Sequence, residues 1–252
     1  MEKLRVLNVD VCDLTMDYLV NEITHGVVLS LNVDIAIKLQ KDKEYHKLLN
    51  SDKNNVILCM DSQVIRLLYR LLFGVTFVER VSGSDYLPIF CEKHHESETK
   101  VFLLGAQENV AYSAMNSINS KIGSEVVVGA CSPSFGFENN REECSKIIAD
   151  INRSGANVLA VGLGAPKQEK WIFKYKNDLP SIKLYMGVGA AIDFAAGNVK
   201  RAPQWMSNMG VEWLYRLIKE PKRLYKRYLY DDVPFIWLLV KQRLGLYKSP
   251  FG

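Results

Sequence analysis

Two glycine-rich turns carry the residue types best suited to holding a phosphate group. In the first, VLAVGLGAPKQEKW at residues 158–171, an apolar strand pattern runs into Gly162 and Gly164 and then into a helix pattern beginning near Lys167. Glycines let backbone N–H groups approach a phosphate, and the helix N-terminus favours an anion. Lys167 adds charge, and the Gln168 amide can both donate and accept hydrogen bonds. The alternative is a tight turn with a solvated lysine.

The second glycine-rich turn, YMGVGAAIDFAAGNVKRAPQWM, begins at Tyr185. Gly187 permits close approach of a ligand because glycine has no side chain. Asp193 follows on a predicted short helix and fits either a ligand contact or a helix-terminal carboxylate. Lys200 and Arg201 fit either pairing with a diphosphate or simple solvation.

Asp61 is the candidate for acid–base chemistry. It directly follows the apolar run VILCM, and a carboxylate at the carboxyl end of a strand can act as a general base. The competing role is an N-cap for the helix predicted from Ser62. Arg80, in ERVSGSDYLP, fits either binding of an anionic group or a structural pair with Glu79 or Asp85.

Apolar β-branched runs alternate with amphipathic stretches along most of the chain. This alternation predicts an α/β fold with a Rossmann-like parallel sheet flanked by helices. Ligands bind beyond the carboxyl ends of such strands, so the residues that follow them are expected along one edge. Strands are predicted at 27–31, 56–60, 101–104, 125–129, 158–161 and 184–186, and helices at 34–49, 62–72, 109–121 and 141–154.

The charge is unevenly distributed over the 252 residues. Residues 200–248 hold eleven Lys or Arg and four Asp or Glu, a net charge of +7 against +4 for the whole chain. We therefore predict a catalytic domain over 1–197 and a basic, aromatic, helical appendage over 198–252. Arg216, Arg223 and Arg227 share one face if the helix continues past Pro221. This pattern favours an anionic membrane surface as partner, the alternative being an ordinary docked helix.

The sequence also bears on location and metal content. Five cysteines without a C-x-x-C pair favour a reducing compartment, and the N-terminus shows no signal peptide. No apolar run reaches the roughly 18–20 residues that span a bilayer. The His94-His95 pair fits a solvated loop better than a metal site. We expect a cytoplasmic protein without a metal.

Seven segments are the most informative when they are taken together: SLNVD at 30–34, MDS at 60–62, ERVSGSD at 79–85, VFLLGA at 101–106, VGLGAPKQEKW at 161–171, GVGAAIDFAAGNVKRAP at 187–203 and GVEWLYRLIKEPKRLYKRY at 210–228. In this order they resemble the WecG/TagA/CpsF family of glycosyltransferases and cover most of the chain. The resemblance implies metal-independent, inverting transfer of an N-acetylmannosamine-type sugar or another hexose from a UDP-sugar to a polyprenyl-diphosphate-linked acceptor in cell-surface polysaccharide synthesis. The UDP-sugar is then a substrate, and no cofactor is implied.

The resemblance also implies roles for individual residues. The family's base, the aspartate of a D-G pair, falls on Asp61, with Ser62 in place of the glycine. Its T-x-N motif appears as Ser30-Leu31-Asn32. Further family positions fall on Arg80 and Gln168, and those of the tail fall on Arg216, Arg223 and then Lys226 or Arg227. The family's tail is thought to close over the site and to lie on the inner face of the plasma membrane.

Several alternatives remain at the level of sequence. A UDP-glucose-type donor fits the same motifs, and the tail could come from the same chain or from a second copy in a homo-oligomer. A nucleic-acid-binding module would use the basic tail without needing the glycine turns. A nicotinamide-dependent oxidoreductase would need a G-x-G-x-x-G turn, which the sequence lacks. We expect no nucleic-acid partner.

Overall fold

The computed structural model describes residues 1–51, 55–198, 202–203, 205–206, 209 and 211–251, with the backbone alone at 51, 216, 223, 227 and 229. Within these residues one eight-stranded sheet forms in the order β1-β2-β4-β3-β8-β7-β5-β6. All neighbouring pairs are parallel except β1 and β2. The strands are β1 Lys3–Val6, β2 Val9–Cys12, β3 Gly26–Leu31, β4 Val56–Met60, β5 Val101–Gly105, β6 Val127–Cys131, β7 Val158–Gly162 and β8 Leu184–Gly187.

Helices flank the sheet, which confirms the predicted α/β class. In the described part of the chain they are α1 Met16–Glu22, α2 Val33–Lys41, α3 Lys43–Ser51, α4 Gln63–Phe73, α5 Gly83–His94, α6 Val110–Ile122, α7 Arg141–Ser154, α8 Lys167–Tyr175, α9 Ala191–Ala195, α10 Glu212–Lys219, α11 Pro221–Lys226 and α12 Pro234–Arg243. Short helical turns lie at Phe137–Asn139, Lys176–Asp178 and Arg227–Asp231.

Alternate residues of the central strands pack into two separate cores. Val27 and Leu29 of β3 face one layer, which holds α2, α4, α8 and α12. Val28, between them, faces the other layer, which holds α1, α5, α6 and α9. Because successive side chains of a strand point to opposite faces, a strand covered on both faces must be apolar throughout. This explains why β4, β5 and β8 are buried at every position.

The sequence-based boundaries differ from the observed ones at a few informative places. The helix predicted over 34–49 is two helices, because Oδ1 of Asp42 accepts a hydrogen bond from the Tyr45 N–H (2.9 Å) and begins α3. The strand predicted over 125–129 lies two residues later. The antiparallel hairpin of β1 and β2 was not predicted. The predicted His94 loop is the last turn of α5, where Nε2 of His94 lies 2.8 Å from the Val20 carbonyl oxygen.

The strand order changes direction between β3 and β8. From β3 the chain moves outward to β4, whereas β8 lies on the other side of β3 and is reached last. A ligand crevice is expected at such a switch point, beyond the carboxyl ends of the strands. The ends concerned are those of β3, β4 and β8.

The C-terminal helices belong partly to the core of the sheet. Phe235 and Leu239 of α12 are fully buried in the same core as α2 and α4. The side chain of Gln242 ties the end of α12 to the N-terminal hairpin, accepting from the Leu7 N–H (2.8 Å) and donating to the Arg5 carbonyl (2.7 Å). Within the described ranges no helix has both the length and the hydrophobicity that crossing a bilayer requires.

Candidate active site

A cavity of about 480 Å³ lies at the strand-order switch point. Its floor is formed by the ends of β3, β4 and β8, and one wall by helices α10 and α12. We call it the carboxylate cavity. Its lining residues include Ser30, Asn32, Asp61, Arg80, Gly164, Gln168, Gly187, Glu212, Trp213, Tyr228, Phe235 and Ile236.

Asp61 is held at the floor of this cavity by its backbone. Its N–H donates to the Leu31 carbonyl (2.9 Å), which continues the ladder between β3 and β4. The N-cap of α4 is Ser62, whose Oγ accepts from the Ile65 N–H (3.2 Å). The prediction of Asp61 as the helix cap is therefore wrong. Ser62, which replaces the family's glycine, has this structural role.

Arg80 pairs with two carboxylates and feels the charge of a third, Asp61. Its Nη1 donates to Oε2 of Glu212 (3.0 Å), and its Nη2 lies 4.0 Å from Oδ2 of Asp85. Burial lowers the pKa of the guanidinium, but the charges of Asp61, Glu212 and Asp85 outweigh burial, so the net pKa is raised. Arg80 thus stays charged beside Asp61. The predicted pair with Glu79 is wrong, since Oε2 of Glu79 accepts from the Met16 N–H (2.9 Å).

A second cavity, of about 840 Å³, lies at the ends of β5 and β7. We call it the lysine cavity, because Lys167 lines it together with Gly162, Asp193, Phe135 and Tyr215. Nζ of Lys167 forms an ion pair with Glu138 and lies 5.1 Å from the centre of the Phe135 ring.

The ion pair gives Lys167 a fixed place at the rim of the lysine cavity. The hydrogen bond from Lys167 is the largest influence on Glu138 and lowers the pKa of that carboxyl. The predicted alternative of a simply solvated lysine is therefore wrong. Ala190 and Phe194 line both cavities, so the two are neighbours across α9.

The sequence of the chain is similar to those of known proteins. A model of the glycosyl transferase WecG/TagA/CpsF family matches residues 4–249. The chain belongs to this family. It is also 32% identical over 229 residues to the N-acetylglucosaminyldiphosphoundecaprenol N-acetyl-beta-D-mannosaminyltransferase of Bacillus subtilis (strain 168), covering 89% of this chain and 84% of that protein.

In this glycosyl transferase, Gln168 clamps the two glycine-rich turns together. Its Nε2 donates to Oε1 of Glu169 (3.0 Å), and its Oε1 accepts from the Gly189 N–H (3.2 Å). Only 4% of Gln168 is exposed, although it lines the carboxylate cavity. A Cβ at Gly187 would lie 2.9 Å from Nε2 of Gln168 and 2.6 Å from Cδ2 of Leu29. A side chain at 187 would therefore displace the side chains of Leu29 and Gln168.

Glu169, the partner of Gln168, is a fully buried carboxyl group. Burial raises its pKa, and hydrogen bonds with Gln168 and Tyr45 oppose that effect without cancelling it. The pKa of Tyr45 is also raised, chiefly by burial and then by the charge of Glu169. Sequence analysis did not single out either residue, because the contact joins α3 to α8 and no local pattern shows it.

Asn32 and Ser30 lie at the end of β3, as the family's T-x-N motif implies. Oδ1 of Asn32 accepts from the Ile35 N–H (3.0 Å) and so caps α2. Oγ of Ser30 lies 3.3 Å from where a Cβ at Gly83 would be, which brings the start of α5 close to β3. The Asn32 oxygen is thus engaged in the cap.

The transferase site divides the sequence-predicted residues between the two cavities. Gly162, Lys167 and Asp193 line the lysine cavity, and Lys226 lines neither cavity. The other predicted site residues with described side chains line the carboxylate cavity. The predicted roles of Lys200 and Arg201 lie outside the described residues, as do the side chains of three tail arginines, Arg216, Arg223 and Arg227.

The resemblance implies that the tail closes over the site, but sequence analysis did not identify which tail side chains line the cavity. Glu212, Trp213, Tyr228 and Phe235 line the carboxylate cavity, and none of them was predicted there. Phe135 at the lysine cavity was also missed. A basic, aromatic composition indicated an interaction surface but not which side chains turn inward. Across the described positions there is no cluster of three or more His, Cys, Asp or Glu side chains able to hold a metal ion.

Proposed function

We propose that this chain transfers N-acetylmannosamine from UDP-N-acetylmannosamine to a polyprenyl-diphosphate-linked N-acetylglucosamine. The name of the Bacillus subtilis relative specifies that sugar and an undecaprenol-diphosphate acceptor for that protein. The observation that carries the proposal is the position of Asp61. Its carboxylate stands at a strand end, in a cavity beside a charged arginine, and the helix-capping role falls to the next residue.

The acceptor sugar occupies the carboxylate cavity in this proposal. Asp61 takes the proton from an acceptor hydroxyl, whose oxygen forms a bond to the anomeric carbon of the donor. The bond from that carbon to UDP breaks, and UDP leaves with the electron pair. One displacement inverts the anomeric centre, which agrees with a β-linked product, as in the relative's name, formed from an α-linked nucleotide sugar. General base catalysis of this kind contributes roughly 10²- to 10⁴-fold in rate.

The nucleotide of the donor occupies the lysine cavity. Its volume of about 840 Å³ suits a drug-sized ligand, since such sites commonly span roughly 300–1,000 Å³. The ring of Phe135 offers a face for stacking a base, and Asp193 offers a carboxylate for ribose hydroxyls. The diphosphate then lies near the 162–164 turn, since Gly162 lines one cavity and Gly164 the other.

Positively charged side chains stabilise the negative charge that develops on the departing UDP. Lys167 stands at the lysine cavity, and a charged hydrogen bond to a phosphate is about twice as strong as a neutral one. Arg216, Arg223 and Arg227 are predicted from the sequence to stabilise the same charge. We propose that these cations make the transfer independent of a metal ion.

The transferase works at the cytoplasmic face of the plasma membrane in this proposal, because its acceptor is anchored by a polyprenyl chain. Helices α10 and α12 of the same chain line the carboxylate cavity, so one chain supplies tail residues to its own site. The basic tail, with a net charge of +7 over 200–248, suits an anionic lipid surface.

A transfer assay tests the proposal directly. The purified chain is incubated with a panel of UDP-sugars, including UDP-N-acetylmannosamine and UDP-glucose, and a short-chain polyprenyl-diphosphate-N-acetylglucosamine. Product mass and anomeric configuration are read with and without EDTA. We expect a β-linked disaccharide from UDP-N-acetylmannosamine that forms equally in EDTA. A product from UDP-glucose alone would contradict the donor assignment, and a retained α-linkage would contradict the single displacement.

A further inference from the structure

An exposed apolar surface lies on α4, the loop after it, and the C-terminal helix α12. On the first segment, the side chains of Leu67, Leu71, Val75 and Val78 are between 48% and 79% exposed. On α12 and its two ends, the side chains of Val233, Ile236, Trp237 and Leu244 are between 50% and 63% exposed. We call these eight residues together the apolar face.

The two parts of the apolar face belong to one layer of the molecule. Ile65 and Tyr69 of α4 and Phe235 and Leu239 of α12 are buried in the same core. The two helices are in contact, and the guanidinium carbon of Arg243 lies 6.0 Å from the centre of the Phe73 ring. Their solvent sides therefore form adjoining parts of one surface. Contiguous exposed apolar patches rimmed by polar residues mark sites that bind proteins or membranes.

The charged residues within the two segments are all basic, although Glu79 follows the first segment and Asp231 and Asp232 precede the second. The segments 63–78 and 233–248 contain five Lys or Arg and no Asp or Glu. Arg70 and Arg243 are exposed, and Nζ of Lys241 lies 5.5 Å from the Trp237 ring centre. The nearby carboxylate of Asp13 accepts a hydrogen bond from the Val78 N–H (2.7 Å). Apolar side chains rimmed by bases are complementary to anionic headgroups over acyl chains.

The apolar face also adjoins the opening of the carboxylate cavity. The first residues of α4, Gln63 and Val64, line that cavity, as do Val233 and Ile236 at the start of α12. Leu67 and Leu71 follow Val64 by one and two helical turns and lie on the same side of α4. A flat partner seated on this face would therefore reach the rim of the cavity.

From these observations we propose that the apolar face docks the protein on an anionic bilayer surface, with α4 of the sheet domain as a contact separate from the basic tail. The inference rests on the proposed function, because a cavity facing the lipid can accept a sugar whose carrier chain stays in the membrane. Leu71 and Val75 enter the headgroup layer, and Arg70 and Arg243 contact lipid phosphates.

Vesicle co-sedimentation of the full chain tests this docking. Vesicles of phosphatidylcholine alone are compared with vesicles of equal parts phosphatidylcholine and phosphatidylglycerol. The double variant Leu71→Glu, Val75→Glu should partition onto the anionic vesicles at least about tenfold more weakly than the wild type. The matched control is the double variant Ile89→Glu, Tyr112→Glu, which places the same two charges at exposed apolar side chains (40% and 51%) of α5 and α6, in the opposite layer. That variant should bind as the wild type does.

A second double variant tests the contribution of the basic side chains separately and guards against misfolding. Arg70→Gln with Arg243→Gln should weaken binding to anionic vesicles several-fold and reduce its salt dependence, while melting as the wild type does. The proposal is overturned if the wild type does not bind anionic vesicles, or if both double variants bind unchanged. It is also overturned if light scattering shows a wild-type dimer that Leu71→Glu, Val75→Glu dissociates without any change in vesicle binding.

The docking can be separated from the transfer reaction itself. Leu71 and Val75 do not line either cavity, so transfer to a water-soluble, short-chain acceptor without vesicles should be unchanged in the double variant. Loss of vesicle binding with intact soluble transfer supports the docking. Absence of transfer in the wild type, with vesicle binding that depends on Leu71 and Val75, would remove the proposed function and leave the docking surface.

Discussion

Nη1 of Arg80 donates a hydrogen bond to Oε2 of Glu212 at 3.0 Å, across 132 positions of sequence. Arg80 lies in the loop between α4 and α5 and lines the carboxylate cavity, and Glu212 begins α10, which forms its wall. About a fifth of each side chain is exposed, so this is a partly shielded ion pair. The contact therefore couples the position of the tail to the charge beside Asp61.

Removing the carboxylate of Glu212 should loosen the cavity wall without removing the charge on Arg80. We expect Glu212→Ala to raise the KM for the acceptor several-fold and to make the chain after residue 198 cleave faster in limited trypsin digestion. Asp150→Ala, which removes an exposed ion pair with Arg153, is the control and should leave both unchanged. Equal proteolysis of Glu212→Ala and wild type would contradict the coupling.

Neutralising Asp61 should remove the base and leave donor binding intact. Asp61→Asn keeps the size of the side chain, and we expect the rate of transfer to fall by roughly 10²- to 10⁴-fold, the contribution of a general base. The dissociation constant of UDP, measured by calorimetry, should change less than about twofold, because Asp61 lines the other cavity. Transfer at the wild-type rate would remove Asp61 from this role.

Much of this architecture follows from the sequence because central strands buried on both faces must be apolar. The runs that became β3, β4 and β7 could be read directly. Local propensity could not decide which of Asp61 and Ser62 caps α4, since both are good N-cap residues. Nor could it separate α2 from α3, because the amphipathic pattern continues through Asp42 and only the cap at that residue divides them.

The division of the site into two cavities was beyond sequence reasoning for a different reason. Gly162 and Gly164 are two positions apart and suggested one binding loop, yet they line different cavities. The wall of the carboxylate cavity comes from α10 and α12, and the contact that positions it, from Arg80 to Glu212, is long-range. Such contacts depend on how the tail packs against the sheet domain, and the composition of the tail does not predict that packing.

Truncating Gln168 should cost stability as well as activity. In Gln168→Ala, Oε1 of Glu169 and the Gly189 N–H each lose a hydrogen bond inside the protein. A buried polar group left without a partner costs about 1–3 kcal/mol. For a domain of 150–250 residues, each kcal/mol lowers the melting temperature by about 2–4 °C.

Differential scanning calorimetry measures that loss. Gln107→Ala is the comparison, because Gln107 is an exposed glutamine after β5 and should melt within about 1 °C of the wild type. If Gln168→Ala melted as the wild type does while losing acceptor binding, the clamp would be wrong and a direct substrate contact would replace it.

The buried Glu169 predicts a pH dependence of stability. Its pKa is raised in the folded protein from an ordinary value of 4.5, with burial the largest cause, so the folded state binds the proton more tightly than the unfolded state. This contribution to stability is therefore fully present below about pH 4.5 and is lost as pH rises through the folded pKa. Glu169→Gln cannot ionise and should not show that loss.

Urea unfolding at a series of pH values measures the difference. We expect the free energy of unfolding of Glu169→Gln, relative to wild type, to increase with pH from 4.5 upward and then level off. Glu125→Gln, at an exposed position before β6, should run parallel to the wild type throughout. A constant difference between Glu169→Gln and wild type across this range would show that Glu169 titrates alike in both states.

Phe135 offers a test of the donor site that is free of folding effects. The side chain is fully exposed at the rim of the lysine cavity, next to Nζ of Lys167, so its removal should leave the melting temperature unchanged. Stacking of a base on an aromatic ring is worth about 1–3 kcal/mol, which corresponds to roughly a 5- to 150-fold loss of UDP affinity in Phe135→Ala. Phe135→Tyr should keep most of the affinity.

Calorimetric titration with UDP and with uridine separates the base from the diphosphate. If Phe135 stacks on the base, Phe135→Ala should weaken both ligands by the same factor, since the ring contributes nothing to the phosphates. Lys167→Met should weaken UDP far more than uridine, because its ammonium group acts on the phosphates. Tyr112→Ala, a comparably exposed aromatic on α6, is the control. Unchanged affinity for both ligands in Phe135→Ala would place the nucleotide outside the lysine cavity.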